Sequence, residues 1–167
     1  MKVSTITAMA IGVCLTSLLS ACTSPTPSPP PTPTVMTKSE AADLYLSTVC
    51  PNNAAGDVLF QALNADPGDF EAIKAAADAY ASTQTNSAEV FDDPTILWPE
   101  NIRKDIPVMS EDAFSVLSWI AQIEAATTLE ETYIYPPAIG DAQTSSQRIR
   151  SRLGISSDIV ESCADYQ

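Results

Sequence analysis

Apolar side chains recur every three or four positions along most of the chain, which is the pattern of amphipathic α-helices. Thr37 and Glu40 have the spacing of a capping box, in which each side chain accepts a hydrogen bond from the backbone amide of the other residue. The apolar stripe that follows predicts a first helix to about Val49. Pro51 should end that helix, because proline lacks the amide hydrogen that an internal helical turn needs.

Two further helices are predicted on either side of a turn at residues 66–69. Asn52 or Asn53 can cap a helix that reaches about Ala65, since a short amide side chain accepts hydrogen bonds from the free amides of a first turn. Asp69 can cap the next helix in the same way. The polar run at residues 82–87 should weaken that helix, although the apolar residues after the run can continue it.

The longest helix is predicted in the second half of the chain, at about residues 111–130. Ser110 is placed to cap it, and the two acids that follow suit the positive end of the helix dipole. Its broad apolar face includes Trp119, which is expected to be a core residue. A short helix with a proline in its first turn is predicted just after Trp98, and Pro107 should stop or kink it.

The C-terminal part of the chain contains two more helical segments. One opens with the capping-box spacing of Thr144 and Gln147 and ends at Gly154, because glycine readily adopts the left-handed conformation of a helix C-cap. The other begins at about Ser157. The basic residues of the first are spread around the helix and are expected to compensate its dipole rather than to bind one anion: Arg148, Arg150 and Arg152.

A sheet is not expected, because no stretch alternates polar and apolar residues over the length of a strand and none has the turn sequence of a hairpin. The connections between the predicted helices are short. The sequence therefore predicts an all-α fold, a helical bundle of about four main helices with additional short helices.

The N-terminal residues follow a different pattern, that of an export signal. Lys2 precedes a mostly apolar run, and small residues then lead to a cysteine in the sequence Leu19-Ser20-Ala21-Cys22. This stretch resembles the lipobox of bacterial lipoproteins. The resemblance implies that residues 1–21 are removed and that lipid on Cys22 holds the mature protein on the extracytoplasmic face of the cell membrane.

A proline-rich spacer follows the lipid site. Six prolines among residues 23–34, with only serine and threonine between them, favour extended polyproline II and cannot build a core. The chain thus divides into a signal peptide at 1–21, a lipidated cysteine with its spacer at 22–36, and a helical domain at 37–167.

The mature part also resembles the small helical lipoproteins of actinobacteria. The residues that carry this resemblance are the spacer, the phrase from Tyr45-Leu46 to Cys50-Pro51-Asn52, and Arg150-Ser151-Arg152-Leu153-Gly154-Ile155 shortly before the last cysteine. The resemblance implies a location and a helical fold, and it carries no activity and no catalytic residue.

Charge and composition exclude several classes of function. Loss of Lys2 from the 8 basic residues leaves 7 against 21 acidic ones, a net charge of about −14, so nucleic acid is not an expected partner. The chain contains no histidine, which excludes histidine-dependent nucleophiles and histidine-ligated metals. No catalytic residue, metal site or cofactor is predicted.

The cysteines predict one covalent link within the helical domain. Cys14 lies in the predicted signal and Cys22 is taken by lipid, so two of the four cysteines remain. Cys50 and Cys163 are expected to form a disulfide, because an exported chain matures in an oxidising compartment. The alternative is a pair of buried free thiols.

Acidic and aromatic residues supply the remaining candidates. Trp98, Tyr133 and Tyr135 lie beside prolines in irregular segments and are candidate partner-binding residues. The acidic groups lack the spaced ligands and central glycine of a calcium-binding loop, so caps and solvated turns explain them better: Asp66 with Asp69 and Glu71, Glu89 with Asp92 and Asp93, and Glu130 with Glu131.

Three functions are compatible with these patterns. The leading hypothesis is a non-catalytic lipoprotein that binds a protein or an envelope component at the cell surface. A cell-wall glycan hydrolase that uses two carboxylates is the second, and it requires two acids to converge in one pocket. The third is a carrier of a small apolar ligand, which requires a sizeable cavity between the helices.

Overall fold

The computed structural model describes residues 34–138 and 140–166, in which helices are the only regular secondary structure. The predicted signal peptide, Cys22 and most of the spacer lie outside these residues. The all-α prediction is confirmed, with four long helices and two short ones: α1 (Lys38–Leu63), α2 (Phe70–Asp92), α3 (Glu100–Arg103), α4 (Ile106–Ala125), α5 (Gly140–Leu153) and α6 (Ile159–Ser162).

Helix α1 begins at the predicted capping box but does not end where predicted. The Thr37 hydroxyl accepts from the Glu40 amide at 3.2 Å, and the Glu40 carboxylate accepts from the Thr37 amide at 2.7 Å. The prediction that Pro51 ends the helix is wrong, since α1 continues through it to Leu63. Buried residues lie on both sides of Pro51, so packing of the whole helix offsets the single lost hydrogen bond.

Helix α2 is capped by Asp69, as predicted, with its carboxylate accepting from the Ala72 amide at 3.1 Å. The polar run at residues 82–87 does not weaken the helix, which continues to Asp92. Gln84 and Ser87 are buried within that run, because α1 and α4 pack against α2 along most of its length. Burial of these two side chains between neighbouring helices stabilises the helix through the polar run.

The long helix α4 starts earlier than predicted. Pro107 was expected to end the preceding helix, but it lies in the first turn of α4, where its missing amide costs nothing. Ser110 is consequently an internal, buried residue and not a cap. Trp119 is buried, as predicted, and its indole nitrogen donates to the Ile134 carbonyl at 3.2 Å.

Two apolar clusters form the core, one towards each end of the bundle. The first joins the start of α1 to the end of α2 and to α5, with Tyr45, Phe91 and Trp98 as its aromatic members. The second joins the other end of α1 to α2 and α4 around Leu59 and Trp119. The space between the two clusters is where the candidate site lies.

The C-terminal segment is fastened to α1 by the predicted disulfide. Cys50 and Cys163 are bonded, with their Cα atoms 5.4 Å apart. Helix α6 has no buried residue of its own. The Arg150 guanidinium adds a second attachment, since it donates to the Ser156 carbonyl at 2.6 Å and to the Ser162 hydroxyl. Ile155 and Tyr166, on either side of α6, also pack against the first core cluster, so the segment is held by the bridge, by hydrogen bonds and by apolar contacts outside α6 itself.

Two of the three α5 arginines bind one carboxylate, which the sequence pattern did not indicate, whereas Arg150 and Arg152 lie in the last turn, where basic residues suit the helix dipole. Arg148 Nε and Arg152 Nη1 each donate to a different oxygen of Asp105 at 2.7 Å. They lie one helical turn apart and so share a face, whereas Arg150 points to another side. Asp105 is 1% exposed and joins α5 to the connection between α3 and α4.

Candidate functional site

A cavity of about 600 Å³ lies between α1, α2, α4 and α5, and takes side chains from both core clusters. Sites for small organic molecules commonly occupy about 300–1,000 Å³. The lining includes Phe60, Gln143 and Gln147, which are exposed and mark where the cavity meets solvent. The loop after Tyr135 closes one side of the opening with Pro136, Pro137 and Ala138.

Most of the cavity wall is apolar. The aromatic rings of Phe60 and Trp119 stack with their centroids 5.8 Å apart, and the side chains of Met109 and Val116 extend the wall along α4. Phe91 belongs to the opposite cluster and packs 6.1 Å from the Tyr45 ring. Such a wall favours the burial of a hydrocarbon or aromatic body of a ligand.

The α2 side of the cavity is polar. Gln84 Nε2 donates to the Tyr80 hydroxyl oxygen at 2.8 Å, which leaves the Tyr80 hydrogen available to a ligand. Burial and the nearby charges of Asp112 and Asp57 raise the pKa of Tyr80 above its ordinary value, although the Gln84 hydrogen bond opposes this. The phenol is therefore neutral at physiological pH.

Ser87 provides a second polar group on the same side, one helical turn after Gln84. Its hydroxyl oxygen is buried and has no hydrogen-bond partner among the described residues. An unpaired hydroxyl in an apolar setting costs about 1–3 kcal/mol. The oxygen has almost no accessible surface, so it lies behind the cavity wall and is not a contact for a ligand.

Asp112 is the one acidic residue among the described residues that line the cavity. It is half-buried on α4 and forms no hydrogen bond or ion pair with any described residue. Desolvation raises the pKa of this carboxyl above its ordinary value, and no neighbouring cation acts in the opposite direction. The cavity therefore contains an uncompensated acidic group.

The α5 side of the cavity is already hydrogen-bonded. The hydroxyl groups of Tyr45 and Ser146 are 2.8 Å apart, and burial raises the pKa of Tyr45. Arg150 also lines the cavity, but its Nε and Nη2 atoms donate to the Ser156 carbonyl. These groups primarily secure the fold, and the α2 and α4 side offers the free polar atoms.

The three aromatic residues proposed as a partner site are not brought together. Trp98 is 3% exposed and packs against Phe91, so it belongs to the core and presents no surface. Tyr133 is half-exposed near the turn at Gly68, and Tyr135 is almost fully exposed. None of the three lines the cavity, although the prolines that follow Tyr135 do.

The residues that line the polar side were not identified as candidates from the sequence. The sequence pattern places Asp112 at the start of a helix, where an acid is common. It places Gln84 and Ser87 in a polar run that is expected to weaken a helix. The one available signal was that this polar run lies between two apolar stretches of equal helical spacing. In a buried helix, such an interruption indicates a polar site between core clusters.

Other kinds of site find no support among the described residues. A carboxylate pair is not found in the cavity, and no group of acidic or thiol side chains is arranged to hold a metal ion. Likewise, none of the helices in residues 34–138 and 140–166 is long and apolar enough to cross a bilayer.

Comparisons with known proteins add no relative. No protein-family model, no curated protein and no solved structure matches this chain. Arguments about function therefore rest on the cavity and on the sequence patterns.

Proposed function

We propose that the protein is an extracytoplasmic lipoprotein, anchored to the membrane through Cys22, whose helical domain binds a small amphipathic molecule. The lipobox at residues 19–22 supports the anchor, and the cavity of about 600 Å³ supports the binding function. The spacer gives the domain reach above the membrane surface. In this function the protein captures or carries its ligand and does not transform it.

The cavity is the observation that carries this proposal. It opens to solvent between the two core clusters, so apolar side chains of its wall stay in contact with water. It also contains Asp112, a carboxylate with no partner among the described residues. A bound ligand would remove the apolar wall from water and supply a partner for the carboxylate.

The two other hypotheses receive less support. Hydrolysis of a glycan by paired carboxylates needs two acids on either side of the scissile bond, and Asp112 stands alone in the described lining. A protein-binding surface built on Trp98, Tyr133 and Tyr135 would need these residues exposed together, and Trp98 is buried. Binding of a small molecule is the function with a formed site.

A cavity-filling substitution tests this proposal. Val116 is half-buried in the cavity wall, and Val116→Trp should place an indole in the ligand space and weaken binding by about tenfold or more through steric exclusion. The measurement is fluorescence titration with the neutral apolar probe N-phenylnaphthylamine. The purified full chain is used in phosphatidylcholine nanodiscs, with empty nanodiscs subtracted.

The matched control is Val58→Trp, which introduces the same side chain at an exposed position of α1 outside the cavity. We expect it to leave the dissociation constant unchanged. Melting curves of both variants establish that they fold. Equal affinity of wild type and Val116→Trp, or no saturable binding by the wild type, would contradict a ligand function for the cavity.

A further inference from the structure

The identity of the unpaired groups in the cavity limits the chemistry of the ligand. Asp112 is a carboxylate without a partner, and Ser87 is a buried hydroxyl without a partner. An ionised carboxylate accepts hydrogen bonds only. Asp112, a charged group of the described lining without a partner, therefore calls for a hydrogen-bond donor.

We infer that the cavity selects amphipathic molecules with a single protonated amine, and that Asp112 is the counter-ion of this amine. The inference deepens the proposed function and rests on it. An alkylammonium group supplies three donors and a positive charge. It can therefore donate to the Asp112 carboxylate and balance its charge.

Placement of the polar groups supports a single ammonium position. Asp112 on α4 and Tyr80 on α2 line the same cavity, where these two helices pack against each other. Gln84 is bonded to Tyr80, and Ser87 lies one turn further along the same face of α2. These side chains form one polar end, and the apolar wall of Phe60, Val116 and Trp119 would receive the body of the ligand.

Arg150 explains why a second amine is not expected. Its guanidinium is buried and is held by carbonyl oxygens, with no carboxylate partner among the described residues. It therefore keeps an uncompensated positive charge on the α5 side of the cavity. A dication would meet repulsion there, whereas a molecule with one charged end and one apolar end would not.

The acidic surface also favours cationic ligands before they reach the cavity. With 21 acidic side chains against 8 basic ones, or 7 after loss of the predicted signal peptide, the chain attracts cations and repels anions over distances of about one Debye length, roughly 8–10 Å. An anionic amphiphile such as a free fatty acid would face this repulsion before it reached the cavity. The net charge of the protein and the Asp112 carboxylate thus both favour a cation.

The test compares three probes with one body and different charges. Dansylcadaverine carries a free amine, its N-acetyl derivative is neutral, and dansylaminocaproate is anionic. We expect the amine to bind at least about tenfold more tightly than the acetylated probe, since a hydrogen bond between two charged groups is stronger than one between neutral groups. The anionic probe should bind most weakly. Titrations use the full chain in phosphatidylcholine nanodiscs.

Asp112→Asn should remove the preference for the amine while leaving the neutral probe's affinity unchanged. Asp57→Asn is the matched control, because Asp57 is an exposed carboxylate on α1 that also acts on Tyr80 but does not line the cavity. It changes the net charge of the protein equally. We expect it to keep the preference of the wild type.

The melting temperature of the Asp112→Asn variant shows whether it is folded, and the raised pKa of Asp112 predicts the direction in which this temperature changes. For an acid whose pKa is raised on folding, the folded state holds the proton more tightly than the unfolded state. Stability is therefore greatest below the unfolded pKa and falls as the pH rises through the folded pKa. Asp112→Asn should accordingly raise the melting temperature at neutral pH by about 1–3 °C.

The pH dependence adds a readout specific to the carboxylate. Amine binding should weaken as the pH falls through the raised pKa of Asp112, and this dependence should be absent in Asp112→Asn. The other charged or ionisable side chains of the described lining are Tyr45, Tyr80 and Arg150. Burial raises the pKa of both tyrosines, so neither phenol ionises between about pH 4 and pH 8.

Each outcome decides a different claim. Equal binding of the amine and the acetylated probe, tighter binding of the anion, or an unchanged preference in Asp112→Asn would overturn the inference while the cavity remained a ligand site. Absence of binding by all three probes would overturn the proposed function and the inference together.

Discussion

Loss of the disulfide is expected to lower the free energy of unfolding by about 4–5 kcal/mol in the variant Cys50→Ala/Cys163→Ala. The bridge closes a loop across 113 positions, and in the chain-entropy model a loop of this length restricts the unfolded chain by about that amount. Loss of the bridge should also loosen α6 in the native state, because α6 buries no side chain and is held by contacts of the residues around it. Urea unfolding of the double variant and the wild type measures the difference.

Reduction provides an independent control. Wild-type protein in excess reductant should unfold at the denaturant concentration of the double variant, and the double variant should not respond to reductant. Hydrogen exchange should rise first in the segment that contains α6. Free energies within about 1 kcal/mol of the wild type would contradict a stabilising role for this bridge.

Removal of the Asp105 carboxylate is expected to cost about 2–4 kcal/mol. Asp105 is almost fully buried and bonds to Arg148 and Arg152, both at 2.7 Å, and breaking a buried ion pair costs about 3–5 kcal/mol. The cost expected here is lower than for a fully buried pair, because the two arginine side chains are 43% and 32% exposed and can be hydrated by water when Asp105 is removed. Urea unfolding of Asp105→Ala gives the value.

Two further variants separate charge from volume. Asp105→Asn keeps the shape and one acceptor oxygen, so it should cost less than the alanine variant. Asp78→Ala alters an exposed carboxylate on α2 and should change stability by no more than about 0.5 kcal/mol. A loss below about 1 kcal/mol in Asp105→Ala would mean that the arginine pair does not hold α5 to the bundle.

Local signals in the sequence predicted much of the fold because their causes are local. The capping box at Thr37 and Glu40 and the cap at Asp69 each satisfy amides within one helical turn. Gly154 follows α5 with a φ of +73°, a conformation that glycine adopts without a steric penalty. The pairing of Cys50 with Cys163 follows from counting the cysteines that the predicted processing would leave.

The incorrect helix boundaries arose where tertiary packing outweighs a local preference. Pro51 and the polar run at residues 82–87 both disfavour a helix locally, yet α1 and α2 run through them. Each helix buries side chains on both sides of its weak point, and the free energy of that burial exceeds the cost of one lost hydrogen bond. A single sequence shows the local cost but not the neighbours that offset it.

The cavity could not be predicted, because it is defined by the space between four helices. Asp112 on α4 and Ser87 on α2 reach it from different parts of the chain, and neither has a spacing that marks a site. Trp98 shows the converse error, since a tryptophan beside a proline was interpreted as a surface residue and is buried in the core. The hydrophobic pattern predicts the helices and their buried faces, but it does not predict the cavity between the two core clusters.

The most direct test of a ligand site between the helices is photo-crosslinking with a diazirine derivative of dansylcadaverine, followed by mapping of the labelled peptides. Labels should fall on residues of the cavity wall such as Met109 and Val116, and Val116→Trp should abolish them. Labelling of the exposed Tyr135 or Phe114, or labelling that persists unchanged in Val116→Trp, would contradict the account.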